Sequence, residues 1–183
     1  EHGRVGPGTG VTAPSPAAGR RFPTPHHWEV REGARDPGPC VVFDLDGVLS
    51  DAAGRQHFVE GPGRRDWDAF FAACGEDALL EETAALLHLL DPALGIVLLT
   101  ARPLRVQAET LSWLARYRLR WDVLIMRPYG DYSRASEFKQ DSLWELRTGG
   151  WEVRLAFEDD PRNLAMFRAE GVPCVYIHSG YYG

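Results

Sequence analysis

The chain has 183 residues, enough for one domain whose core buries about 70% of the surface that the unfolded chain exposes. Its 20 Lys and Arg stand against 26 Asp and Glu, a formal charge of −6. That balance excludes the strongly basic footprint of a dedicated nucleic-acid binder, though not a local basic cleft.

No apolar run approaches the roughly 20 residues of a membrane span, and no signal-peptide pattern opens the chain. A cytoplasmic protein with no membrane contact and no obligate protein partner is expected. Cys40, Cys74 and Cys174 have no metal-type spacing. They read as free thiols of a reducing compartment, with Cys40 and Cys174 inside apolar runs.

Residues 1–38, rich in Pro and Gly, lack periodicity and read as a flexible leader, with order starting from Phe22 or Trp28 and His26-His27 in a solvated turn. Residues 39–183 then read as one domain. Its first strand runs from Cys40 to Asp44. Residues 51–77 are too long for a simple loop and carry Trp67, Phe70 and Phe71; they read as a flap and small cap inserted after that strand. Leu79, Thr83, Leu86 and Leu90 recur on one face of a helix.

A second strand, Ile96–Leu99, ends at Thr100. Pro103 sits at the first position of a helix carrying Leu104, Ala108, Leu111 and Ala115. The strand Val123–Met126 precedes a helix from Ala135 to Arg147. The strand Val153–Phe157 precedes a short helix from Pro161 to Glu170, and Cys174–Ile177 closes the series. Strict alternation predicts an α/β fold: a Rossmann-like parallel sheet of five strands with helices on both faces. Right-handed crossovers place all strand C-termini on one edge, where such sheets bind ligands.

That edge receives the chemistry. Asp44 and Asp46 leave the first strand from the same side, beside a glycine turn, and two hard oxygen ligands there suit Mg²⁺. Asp44 is the candidate nucleophile toward a phosphate ester, giving an aspartyl phosphate. Asp46 can protonate the leaving oxygen and then activate water. Mg²⁺ would be held by Asp44, the backbone carbonyl of Asp46 and an acid of the fourth strand. Thr100 offers a hydroxyl to the phosphoryl oxygens and Ala101 a backbone N–H at the coming helix terminus. Arg102 and Arg105 are nearby cations, and Lys139 supplies a fixed positive charge.

At these residues the chain resembles the haloacid dehalogenase (HAD) superfamily of phosphohydrolases. DLDGVLSD from Asp44 to Asp51 is similar to the first motif, LLTAR from Leu98 to Arg102 to the second, Lys139 to the third and FEDDPRN from Phe157 to Asn163 to the fourth. The resemblance implies Asp44 as nucleophile, Asp46 as acid/base, Thr100 and Lys139 on the phosphate, and Mg²⁺ at Asp44, Asp46 and the fourth motif. The name-giving dehalogenases generally lack an aspartate matching Asp46, so its presence favours phosphate chemistry. Aligning Phe157 and Pro161 makes Glu158-Asp159 the acidic pair, with Asp159 as direct ligand and Asp160 competing.

His57 to Phe71, LTARP and the stretch from Met126 to Tyr132 also resemble the phosphatase half of phage-type polynucleotide kinase-phosphatases. This implies removal of a terminal phosphate, such as a nucleic-acid or nucleotide 3′-phosphate, with Arg64, Arg65, Arg102 and the stacking aromatic Trp67 reading the end. No G-x-x-x-x-G-K-[ST] loop is present for a kinase half. A small-metabolite phosphatase is the enzymatic alternative. A non-catalytic phosphate-binding domain is a third reading, opposed by the intact acid, threonine and lysine set.

Overall fold

The computed structural model describes residues 23–182; the first part of the expected leader lies outside them. The main sheet is built from β1 (Trp28–Val30), β2 (Pro39–Phe43), β5 (Gly95–Pro103), β6 (Val123–Arg127), β7 (Glu152–Glu158) and β8 (Cys174–Tyr176). A small second sheet pairs β3 (Ser50–Asp51) with β4 (Ala78–Leu79). The helices are α1 (Trp67–Ala72), α2 (Glu81–Leu89), α3 (Gln107–Arg116), α4 (Ala135–Thr148) and α5 (Pro161–Ala169).

The strand order is β1-β6-β5-β2-β7-β8. The five expected strands are all present and parallel, and a sixth, β1, pairs antiparallel on the β6 edge. It comes from the Pro/Gly-rich stretch, too short to show periodicity. Trp28 gives it a buried anchor, with its indole N–H donating to Glu145 at 3.3 Å. His27, read as part of a solvated turn, is instead buried, with Nε2 3.2 Å from Glu145.

Strand alternation divides the core in two. Val41 and Phe43 pack with Ala84 and Leu87 of α2 and Trp113 and Leu114 of α3. Cys40 and Val42 face Phe138, Leu143 and Leu146 of α4 and Met166 and Phe167 of α5. Helices thus cover both faces, as a fully buried parallel sheet requires. On α2 the buried face is Thr83, Ala84 and Leu87, while Leu86 is exposed. Adjacent leucines at 86 and 87 leave the helical phase ambiguous in sequence.

The second strand does not stop at Thr100. β5 continues extended through Pro103, with a register break against β6 between Leu99 and Pro103. A 3-10 turn, Leu104–Val106, then leads into α3 at Gln107. Pro103 therefore precedes a 3-10 turn instead of opening the helix, and Ala101 lies in extended chain, not at a helix terminus. Residues 51–77 hold 3-10 turns and α1, closed at their base by the β3–β4 pair. All three cysteines are free and buried. Among the described residues no helix is long and apolar enough to cross a membrane.

Candidate active site

The chain order reverses between β2 and β7, the place where open α/β sheets form a crevice at their strand C-termini. Asp44 follows β2 there, and Glu158 ends β7 with Asp159 next. Even-numbered residues of β2 face α4, so Asp44 inherits that direction. Its Oδ2 lies 3.0 Å from Nζ of Lys139, which reaches in from α4 and is also 2.7 Å from Oε2 of Glu158. Carboxylate oxygens of Asp44, Glu158 and Asp159 all come within 4.8 Å of one another.

One lysine faces three buried acids, and the imbalance appears in the protonation of Asp44 and Asp159. Burial and the Glu158 charge push the Asp44 carboxyl well above its ordinary value, against the pull of Lys139. Burial pushes Asp159 up to about 7, with Glu158 adding to the push while Ser179 and Lys139 oppose it. Burial alone would lower Lys139, but Asp44 and Glu158 outweigh it and hold the ammonium charged.

The fourth-motif acids differ in what they already do. Glu158 accepts from Lys139 through Oε2 and from the backbone N–H groups of Asp159 and Asp160 through Oε1. Asp160 caps α5 and is held by the Arg162 backbone and guanidinium. Both Asp159 oxygens are buried and lack a hydrogen-bond partner of good geometry, the nearby Ser179 hydroxyl included. Orphaned carboxylate oxygens are costly in a low-dielectric site. Placed beside Asp44, they match the donor set of a hard divalent cation.

Gly47 makes this packing possible. Its φ is +79°, and a Cβ there would fall 2.0 Å from Asp159 Oδ2 and 2.9 Å from Cβ of Ser179. Gly47→Ala is expected to lower unfolding free energy by more than the roughly 1–2 kcal/mol left-handed penalty alone, read by urea denaturation.

Asp46 does not stay with Asp44, because strand alternation ends at Phe43. It turns to the opposite face, where its Oδ1 accepts from Arg55 Nη2 at 2.5 Å and from Arg102 Nε and Nη2 at 3.0 and 2.6 Å. Both arginines also donate to Asp77, which accepts from the Ser50 hydroxyl as well. Arg102 further reaches Thr110 and lies over the Trp113 ring. Two acids and two guanidiniums thus form one buried, charge-balanced network. Burial would raise Asp46, but Arg102 and Arg55 outweigh it and hold the carboxyl below its usual range.

This network changes how several expected residues act. Arg102, read as a substrate cation, is fully buried and spent on Asp46, Ser50, Thr110 and Asp77. Arg105 pairs with Asp68 at 2.6 Å, tying the end of β5 to α1. Thr100 is buried, and its Oγ1 accepts from the Arg102 N–H at 3.2 Å. Arg64, Arg65 and Trp67 line a hollow on the insertion together with Asp66, which caps α1, and Asp68, which pairs with Arg105. Sequence reasoning missed Arg55, Ser50 and Asp77. Their signal is a charge placed among small apolar residues, Ala52 to Arg55 and Asp77 to Leu80, which has no periodicity to flag it.

A model of the polynucleotide kinase PNKP phosphatase domain matches residues 38–182. A solved Pnkp1/Rnl/Hen1 RNA repair complex contains a chain 25% identical over 81% of this one, with a TM-score of 0.65. A second Pnkp1/Rnl/Hen1 structure gives 26% identity over 78% and a TM-score of 0.64. This chain spans 44% and 46% of those two chains. A haloacid dehalogenase-like hydrolase from Streptococcus pneumoniae shares the fold, with 14% identity, a TM-score of 0.51, and coverage of 77% of this chain and 84% of that one. No curated protein matches. With Asp44 and Lys139 meeting at the β2–β7 crevice, the chain belongs to the PNKP phosphatase-domain family of HAD-like phosphatases.

Proposed function

We propose that the protein is a Mg²⁺-dependent phosphomonoesterase that forms an aspartyl phosphate on Asp44 and acts on the 3′-phosphate of a polynucleotide or nucleotide. The observation that carries this reading is the pairing of Asp44, held against Lys139, with the partnerless oxygens of Asp159 at one strand edge. Asp44, Asp159 and the backbone carbonyl of Asp46 would hold the ion, and Glu158 would fix Lys139. Bound there, Mg²⁺ supplies charge neutralisation between the attacking carboxylate and the phosphoryl oxygens.

Asp44 attacks phosphorus and the ester P–O bond breaks. The departing oxygen takes its electron pair and a proton from Asp46. In the second step Asp46 removes a proton from water, the hydroxide attacks phosphorus, and phosphate leaves with Asp44 regenerated. The two arginines beside Asp46 keep it ionised and lower its proton affinity, so both of its proton transfers depend on how far they hold it once substrate is bound. Thr100, the N–H of Ala101 and Lys139 are assigned to the phosphoryl group. Arg105, Arg64, Arg65 and Trp67 are assigned to the substrate beyond it. Arg102 is assigned to Asp46, so its contribution is to position the acid/base.

The formal charge of −6 and the acids Asp66 and Asp68 beside Arg64 and Arg65 favour a second reading, hydrolysis of a small phosphate monoester. The test is turnover with Mg²⁺ on 3′-phosphorylated oligonucleotides, mononucleotides and sugar phosphates. Oligonucleotide turnover is expected to require Mg²⁺ and to show a KM that rises steeply with salt. Faster turnover of sugar phosphates, with a salt-independent KM, would select the second reading. Absence of any Mg²⁺-dependent hydrolysis would end both.

A further inference from the structure

Past β8 the chain recrosses the site, through residues that neither the sequence motifs nor the catalytic scheme use. Ile177 N–H donates to the Glu158 carbonyl at 2.9 Å, which holds the chain against the acidic strand end. Ser179 then packs on the Gly47 turn, where its Cβ and Asp159 together leave no room for a side chain. Gly180, at φ +81°, turns the chain again. The Tyr181 N–H donates to Ser179 Oγ at 3.3 Å, and the Tyr181 hydroxyl donates to Asp51 Oδ1 at 2.9 Å. The segment is therefore tied both to the nucleophile loop and to the start of the insertion.

Tyr182 is what this strap carries. Its ring lies 5.6 Å from the Arg162 guanidinium, and Arg162 is itself fixed by three hydrogen bonds to Asp160. Burial, with the charges of Asp159, Asp44, Asp160 and Glu158 adding to it, pushes the phenol up. Yet 39% of the residue is open to solvent. A partly exposed ring, backed by the Arg162 guanidinium and carried by a strap that packs on the Gly47 turn and Asp159, is suited to stacking on a planar group of the esterified alcohol beyond the phosphate.

We infer that Ser179–Tyr182 is the wall of the phosphate site that holds the esterified group, with the Tyr182 ring as the platform for the base of a nucleoside phosphate. The inference rests on the phosphatase reading and adds a specificity-determining residue to it.

Thymidine 3′-monophosphate and glycerol 2-phosphate test it, since both are secondary phosphate monoesters and only the first carries a base. The wild type is expected to prefer the nucleotide through KM. Tyr182→Ala should raise the nucleotide KM about tenfold, leave kcat within about twofold, and leave glycerol 2-phosphate KM and inhibition by inorganic phosphate unchanged. Tyr182→Phe should retain the preference. Tyr182→Leu, which fills the space without a ring face, should lose it and stands in if the alanine variant unfolds. A wild type that does not discriminate, a preference that survives Tyr182→Ala, or equal KM changes on both substrates would overturn the platform. Failure of the wild type to hydrolyse either compound with Mg²⁺ would instead strike the phosphatase reading itself.

Discussion

Asp44→Asn is expected to lower kcat by on the order of 10⁴-fold or more while leaving the protein folded. An amide oxygen can still accept the Leu45 N–H, which Asp44 Oδ1 does at 2.8 Å. Lys139 keeps Glu158 at 2.7 Å, so its ammonium is not stranded. Burial and Glu158 already make a carboxylate at this position unfavourable. Removing the charge therefore relieves repulsion, and the melting temperature without metal should stay level or rise. The variant cannot form an acyl phosphate, because an amide is a poor nucleophile and would have to bond through a neutral group. Steady-state assays with Mg²⁺, paired with thermal melts, read both effects. Substantial activity in a well-folded Asp44→Asn protein would remove Asp44 as nucleophile.

The motif residues were legible because each stands where an apolar strand meets charge. Cys40 to Phe43 running into Asp44, and Val153 to Phe157 running into Glu158, carry their own boundary signal, and strict alternation then places both ends on one edge. What pairs with those residues was not legible. Asp44 and Asp46 look equivalent two residues apart, yet the turn at Gly47 sends one toward α4 and the other toward α3. Arg102 sits in a motif that reads as phosphate-facing, and only the burial of Ser50, Arg55 and Asp77 around it shows that its donors are already spent. β1 was hidden for a different reason: three residues are too few for a period. Its stability comes from Trp28 and an edge that only the folded sheet provides.

Metal-free protein is expected to lose stability as pH rises from about 4 to about 7, and Mg²⁺ should restore it at the upper end. Burial pushes the Asp159 carboxyl from its ordinary 3.8 up to about 7 in the fold. Between those values the native state holds a proton that the unfolded chain has released. Stability must then fall with rising pH across that window. Asp44 is shifted in the same direction. Asp46 is shifted the other way, and its stabilisation is lost only as pH drops below the ordinary carboxylate range, so it leaves the window clear.

The proposed divalent ion would bind the deprotonated acids. At 100 times its dissociation constant it would therefore add about 2.7 kcal/mol near pH 7.5 and far less near pH 5. Urea denaturation at both pH values, with and without Mg²⁺, measures all four corners. Asp159→Asn should reduce the metal-free slope to the share that Asp44 carries and abolish the Mg²⁺ response, since the orphaned Asp159 carboxylate contributes to both. A Mg²⁺ effect of equal size at the two pH values, or one that survives Asp159→Asn, would place the ion elsewhere. Loss of the slope with retention of the ion would separate the acid that suffers from burial from the acid that binds.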